Sequence, residues 1–176
     1  MTVTSPVIVV GGVSGCGKTT IGEALAKRLG ATFLDGDDYH PPANVAKMAG
    51  GTPLDDDDRA PWLAALNAML RERRAAATPV VLACSALRRA YRDRLCEGID
   101  AAHCVLLVGT QAVLAERVAN RQHRYMPASL LASQLATLEP IDVAREGPHR
   151  HMVDFDRPTD AIVDEIAALL AASART

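Results

Sequence analysis

The 176-residue chain predicts an α/β fold, three α/β/α layers built on a five-stranded parallel sheet. First, short apolar runs rich in β-branched residues alternate with helical patterns along nearly the whole sequence, which is how a parallel sheet covered on both faces is written. Second, the leading run, Val7-Ile8-Val9-Val10, is continuously apolar, as a strand buried on both faces must be. Third, that run passes through Gly11-Gly12 directly into a glycine-rich turn and then a helix. One domain spanning 1–176 is expected, because domains commonly run to ~100–200 residues. At this size roughly 70% of the extended-chain surface can be buried, so no metal or disulfide staple is needed.

The elements follow in order. After the first strand, Ile21, Leu25 and Leu29 repeat every four residues and predict a helix beginning near Lys18. Thr32-Phe33-Leu34 is a short second strand, 79–83 and 103–108 supply two more, and 151–155 is a weaker fifth. Helical patterns cover 61–74, 86–95 and 111–121, and a last one carries Ile162, Ile166, Leu169 and Leu170. Ligands of such sheets gather at the carboxyl ends of the strands, which directs attention to the loops starting at Gly12, Asp35, Cys84 and Gly109.

Composition removes several function classes. The formal net charge is −2, so non-specific nucleic-acid binding is not expected. No apolar run approaches the ~20 residues of a membrane-spanning helix, and residues 1–6 lack the basic start and apolar stretch of a signal peptide. Cys16, Cys84, Cys96 and Cys104 match no zinc spacing and are expected as reduced thiols of a cytoplasmic protein. The small net charge conceals a segregation. Asp35, Asp37, Asp38 and residues 55–58 form two acidic clusters, whereas Arg71, Arg73, Arg74, Arg88, Arg89, Arg92 and Arg94 crowd the next stretch.

The strongest motif is Gly12-Val13-Ser14-Gly15-Cys16-Gly17-Lys18-Thr19, a full match to G-x-x-x-x-G-K-[ST] between an apolar strand and an amphipathic helix. Glycines let the backbone curl so that successive N–H groups point inward at phosphate oxygens, and the following helix adds the positive end of its dipole. Lys18 is expected to reach the outer phosphates of ATP, the Thr19 hydroxyl to bind Mg²⁺, and Thr20 to extend the cradle. The fold is therefore expected to be that of a P-loop NTPase. No apolar strand before residue 150 ends in an acidic residue of the Walker B kind and no guanine-recognition N-K-x-D is present, so Asp35, at the end of the second strand, is the nearest candidate to support the metal. The small size favours a kinase of a small molecule over a motor or switch.

Asp35-Gly36-Asp37-Asp38-Tyr39-His40-Pro41, then Asn44, Lys47-Met48, Gly51-Thr52-Pro53-Leu54, Asp56, Asp58-Arg59 and Pro61-Trp62-Leu63, resemble the signature of P-loop gluconokinases. Cys84-Ser85-Ala86-Leu87, Tyr91-Arg92-Asp93, Met126-Pro127, Leu130-Leu131, Ser133-Gln134 and Leu138-Glu139-Pro140 continue the resemblance in the same order, over roughly residues 7 to 170. More distant is a similarity to shikimate kinases. The resemblance implies transfer of the γ-phosphoryl group of ATP to the 6-hydroxyl of D-gluconate, with Mg²⁺ as cofactor. It also suggests a homodimer.

By this resemblance Asp37 accepts or orients the acceptor hydroxyl, and His40, Lys47, Arg59, Arg88 and Arg92 are candidates for the gluconate pocket. Arg88 and Arg92, four apart, are expected on one helix face as a carboxylate clamp. A helical lid is expected at about 121–138, hinged around 121–133, with Arg121 near the nucleotide. The sequence departs from the family at Gln122-His123-Arg124-Tyr125-Met126, where a histidine-phenylalanine pair usually precedes the methionine. Residues 147–151 form an unusually basic approach to the last strand, with His149 and His151 expected in a surface loop. Two other readings share the phosphate loop: a kinase of another small hydroxy acid such as shikimate, and a nucleotide-binding module without an acceptor.

Overall fold

The computed structural model describes residues 5–119 and 128–173. Five parallel strands, β1 (Val7–Gly11), β2 (Thr32–Asp35), β3 (Val80–Ala83), β4 (His103–Val108) and β5 (Arg150–Asp154), lie in the order β2-β3-β1-β4-β5. β1 is central, fully buried, and in register with Val80 to Ala83 on one side and His103 to Leu106 on the other. Its alternate residues serve opposite layers. Ile8 and Val10 face a core completed by Ile21, Leu25, Leu114, Ile162 and Ile166, whereas Val7 and Val9 face Trp62, Leu66, Leu70 and Leu95. This two-sided burial explains why β1 reads as an unbroken apolar run.

Helices α1 (Lys18–Leu29), α5 (Gln111–Ala119), α6 (Ala128–Thr137) and α8 (Thr159–Ser173) flank the first core. α3 (Asp56–Ala75) and α4 (Arg89–Cys96) cover the second. A 3₁₀ turn (Gly36–Tyr39) and α2 (Pro42–Ala49) follow β2, and α7 (Val143–Glu146) precedes β5. None of the described helices is long and apolar enough to cross a membrane.

Two helix starts differ from expectation. α3 begins at Asp56 instead of Pro61, and the proline lies inside it. The start is fixed by a reciprocal capping box: Asp58 N–H donates to Asp55 Oδ1 and Asp55 N–H to Asp58 Oδ2, both at 2.9 Å. Two further aspartates in the first turn, Asp56 and Asp57, complement the helix dipole, and these local gains outweigh the one backbone donor Pro61 lacks. α4 begins at Arg89 instead of Ala86, whose positive φ of 46° lies outside helical space. The fifth strand starts one residue early, at Arg150.

Candidate functional site

The phosphate loop joins β1 to α1 at the carboxyl edge of the sheet. Gly15 and Gly17 adopt φ of 85° and 97°, values that favour glycine. Gly12 is excluded from carrying a side chain for another reason as well: a Cβ there would lie 2.6 Å from Cys16 Sγ and 2.9 Å from the Leu107 carbonyl. Gly12, Val13 and Cys16 are buried and build the loop from behind, and burial pushes the Cys16 thiol pKa up. Gly12 N–H donates to Ser85 O at 3.0 Å, tying the loop to the end of β3. Lys18 Nζ donates to Val13 O at 3.1 Å. Thr20 is exposed on the first turn of α1.

Ser14, Gly15, Gly17, Lys18 and Thr19 open onto a cleft of about 410 Å³, within the range that small-molecule sites occupy. Asp35, Asp37, Asp38, His40, Arg59 and Trp62 line the same cleft. The Thr19 hydroxyl donates to Asp35 Oδ2 at 3.0 Å, so these two side chains form a hard-oxygen pair beside Lys18, chemistry suited to Mg²⁺. Among the described residues no group of three or more His, Cys, Asp or Glu is arranged to hold a metal. A Mg²⁺ ion here would therefore draw its other ligands from water and phosphate, as this ion commonly does.

Asp35 also organises the acceptor side. Its Oδ1 accepts from Asp37 N–H at 3.1 Å, capping the 3₁₀ turn that carries Asp37. Trp62, from the second turn of α3, donates Nε1–H to Gly36 O at 2.9 Å and stacks on His40 with ring centroids 4.0 Å apart. The tryptophan thus fixes both ends of the turn. His40 is nearly buried (5% side-chain exposure), its Nε2 lies 3.8 Å from Asp37 Oδ1, and its Nδ1 is buried without a hydrogen-bond partner. Burial lowers the His40 pKa, Asp37 opposes that shift and Arg59 adds to it, so the imidazole is neutral near pH 7. Arg59 Nη1 donates to Leu54 O and, at 3.4 Å, to Tyr91 Oη.

Three of the five expected pocket residues do not line the cleft. Lys47 bridges Asp55 and Asp58 at the start of α3, and its hydrogen bonds to Asp58 and then Asp55 raise its pKa. Arg88 stands at the residue before α4 and pairs with Asp56 at 3.1 Å. The expected clamp of Arg88 with Arg92 is corrected most clearly at Arg92. It is wholly buried, pairs with Glu146 through two 2.7 Å bonds, and donates to the carbonyls of Ala86, Leu87 and Glu139. Five acceptor oxygens hold it, and it ties α4 to α7. Burial opposes the charge of this guanidinium, yet Glu146 outweighs that penalty and the net pKa is raised.

Arg121, Arg124 and His123 lie outside the described residues. His149 and His151 do not form a solvated loop: both are half-buried beside His103, whose ring lies 4.7 Å from that of His149 and 5.7 Å from that of His151. Trp62, which the sequence already placed in a motif segment serving the site or its walls, lines the cleft, and so do Ser133, Gln134 and Thr137, to which sequence reasoning assigned no role. Polar residues at 133, 134 and 137 in a largely apolar helix were the available signal for the last three.

A family model described as an AAA domain matches residues 7–141. A gluconokinase of Gluconobacter oxydans is 53% identical over 133 residues, 75% of this chain and 74% of that protein. A probable gluconokinase of Xenopus tropicalis is 43% identical, over 91% of this chain and 90% of its own length. The crystal structure of a gluconokinase from Sinorhizobium meliloti superposes with a TM-score of 0.83 at 47% identity, covering 98% of this chain and 95% of that one.

Proposed function

The chain belongs to the gluconokinase family of P-loop kinases, and from that premise we propose that it transfers the γ-phosphoryl group of ATP to the 6-hydroxyl of D-gluconate, giving 6-phospho-D-gluconate and ADP. The observation that carries this reading is the single cleft in which Lys18 and Thr19 of the phosphate loop meet Asp37 and His40 of the acceptor side. A nucleotide-binding module has no use for a buried, partnerless imidazole nitrogen and a turn-mounted carboxylate beside its phosphate loop.

The roles follow from placement. Backbone N–H groups of residues 14 to 19 cradle the phosphates, and Lys18 leaves the Val13 carbonyl to neutralise charge on the transferring group. Thr19 and Asp35 would hold Mg²⁺, which when bound would supply positive charge against the phosphates. Asp37 accepts the proton of the 6-hydroxyl as its oxygen bonds to phosphorus and the bond to ADP breaks. Neutral His40 offers hydrogen-bonding nitrogens to the polyol, and Arg59 supplies the positive charge for the gluconate carboxylate. Arg121 remains the proposed nucleotide contact of the lid.

A coupled assay with ATP, Mg²⁺ and a panel of gluconate, shikimate and other sugar acids tests the assignment. Gluconate is expected to be the preferred acceptor. Transfer to shikimate alone moves the chain to the other hydroxy-acid reading, and no transfer to any acceptor leaves the nucleotide-binding module.

A further inference from the structure

Arg59 meets the cleft from the first turn of α3 with only one corner of its guanidinium engaged. Nη1 donates to the Leu54 carbonyl and, at 3.4 Å, to Tyr91 Oη. No other group among the described residues accepts a hydrogen bond from this side chain, so Nε and Nη2 keep their protons for a ligand. Those two nitrogens form one edge of the planar fork, with parallel N–H donors that match the two oxygens of a carboxylate. A guanidinium free to turn presents that edge in many directions. This one is pinned at the opposite corner.

The pin is Tyr91, which lies on α4, is 6% exposed and does not line the cleft. Its hydroxyl donates to Asp56 Oδ1. An ionised carboxylate only accepts, so the single phenolic proton is committed to Asp56 and the lone pairs of Oη are left to accept from Arg59. Burial and then the Asp56 bond raise the Tyr91 pKa against the charges of Arg59 and Arg88, which keeps the phenol protonated. Asp56 is held in turn by Arg88, whose Nη1 reaches its two oxygens at 3.2 and 3.1 Å. The Tyr91 ring adds a second hold, because the guanidinium carbons of Arg59 and Arg88 stand 5.3 and 5.8 Å from its centroid. Arg88, which misses the cleft, thus acts on the pocket through Asp56 and Tyr91.

We propose that Tyr91 is a positioning residue for acid recognition: its hydroxyl, oriented by Asp56 and Arg88, holds Arg59 Nη1 so that the edge made by Nε and Nη2 takes the carboxylate of the acceptor in two parallel hydrogen bonds. The inference rests on the reading of Arg59 as the partner of the gluconate carboxylate. It makes the choice of a sugar acid over an uncharged polyol depend on a side chain that touches neither.

The test titrates gluconate and, separately, ADP with Mg²⁺ by calorimetry into the wild type, Tyr91→Phe, Arg59→Lys and the double variant, with steady-state kinetics and melting curves alongside. Tyr91→Phe keeps the ring and removes only the hydroxyl. It is expected to raise Kd and KM for gluconate about fivefold, the size of one modest hydrogen bond, with kcat, ADP affinity and Tm near wild type. Arg59→Lys lacks the planar fork and is expected to weaken gluconate about tenfold or more. Adding Tyr91→Phe to it should then cost nothing further, because the two side chains act as one unit. Unchanged Kd and KM in Tyr91→Phe overturn the proposal and leave the kinase reading standing. The same fivefold loss in the Arg59→Lys background also overturns it, since the hydroxyl then acts without Arg59. So does an equal loss for gluconate and ADP with a lower Tm, the pattern of a loosened α4. If the wild type binds gluconate but does not phosphorylate it, the kinase reading fails while the binding cycle still decides Tyr91.

Discussion

Asp37 and Lys18 line one cleft, yet their substitution separates two kinds of contribution. Asp37 is mounted on a separate turn, fixed by Asp35 and Trp62, so Asp37→Asn removes the proton acceptor and leaves the nucleotide contacts in place. We expect kcat to fall by about 10²–10⁴-fold, the usual worth of a positioned acid or base, with the Kd for ATP analogue changed little. Steady-state kinetics together with nucleotide titration decides this, and an unaltered rate makes Asp37 a bystander. Lys18→Ala acts on the phosphoryl group itself and should cost about 10²–10³-fold in kcat or more; a near-normal kcat refutes the role. At this scale the phosphate loop was legible, because its function dictates glycine, lysine and threonine at fixed spacing. The cations of the acceptor pocket were less so. Whether an arginine meets a ligand depends on which carboxylates the fold brings beside it, and Glu146, which claims Arg92, lies 54 positions away.

At the scale of elements, the Arg92–Glu146 pair joins α4 to α7, and both side chains are removed from water, at 0% and 1% exposure. Breaking such a pair by truncating one partner leaves an uncompensated buried charge and typically costs about 3–5 kcal/mol. Arg92→Met is therefore expected to lower unfolding stability by about that amount. The double variant Arg92→Met with Glu146→Leu should recover part of the loss. Recovery stays incomplete because the carbonyls of Ala86, Leu87 and Glu139 lose their donor. Urea unfolding of the two variants reads the difference, and a double variant no more stable than the single one denies the charge penalty. The strands and the larger helices were readable because two-sided burial and fourfold apolar spacing leave periodic traces. What the sequence concealed was local competition. The proline at 61 suggested a helix start, whereas the Asp55–Asp58 capping box had already begun α3. The short α2 and α7 carry too few turns for periodicity to reveal.

For the molecule as a whole, parallel strands place the two ends of the sheet under different demands. Every strand delivers its carboxyl end to the edge where the phosphate loop and the Asp37 turn stand, and the opposite edge is left to stability. His103 opens β4 at that opposite edge, level with the first half of β1. It is 6% exposed, its Nδ1 lies 3.4 Å from His151 Nε2, and His149, His151 and Arg150 all act on it. Burial first, then those three neighbours, push its pKa down to about 4 from an ordinary 6.5, and His151 is lowered too, by burial, then by His149 and Arg150. The unfolded chain thus binds protons that the folded chain refuses. Stability from this cluster is complete above the unfolded value and is lost as pH falls from about 6.5 toward about 4. His103→Asn removes the titrating group, keeps a polar side chain near His151, and touches nothing in the cleft. We expect the decline of Tm between pH 7 and pH 4.5 to flatten in this variant, with kcat and KM for gluconate at pH 7.5 matching the wild type. An unchanged slope places the acid sensitivity elsewhere. A loss of turnover at pH 7.5 shows that the two edges of the sheet are coupled, and that the division of labour between them is not the one drawn from the topology.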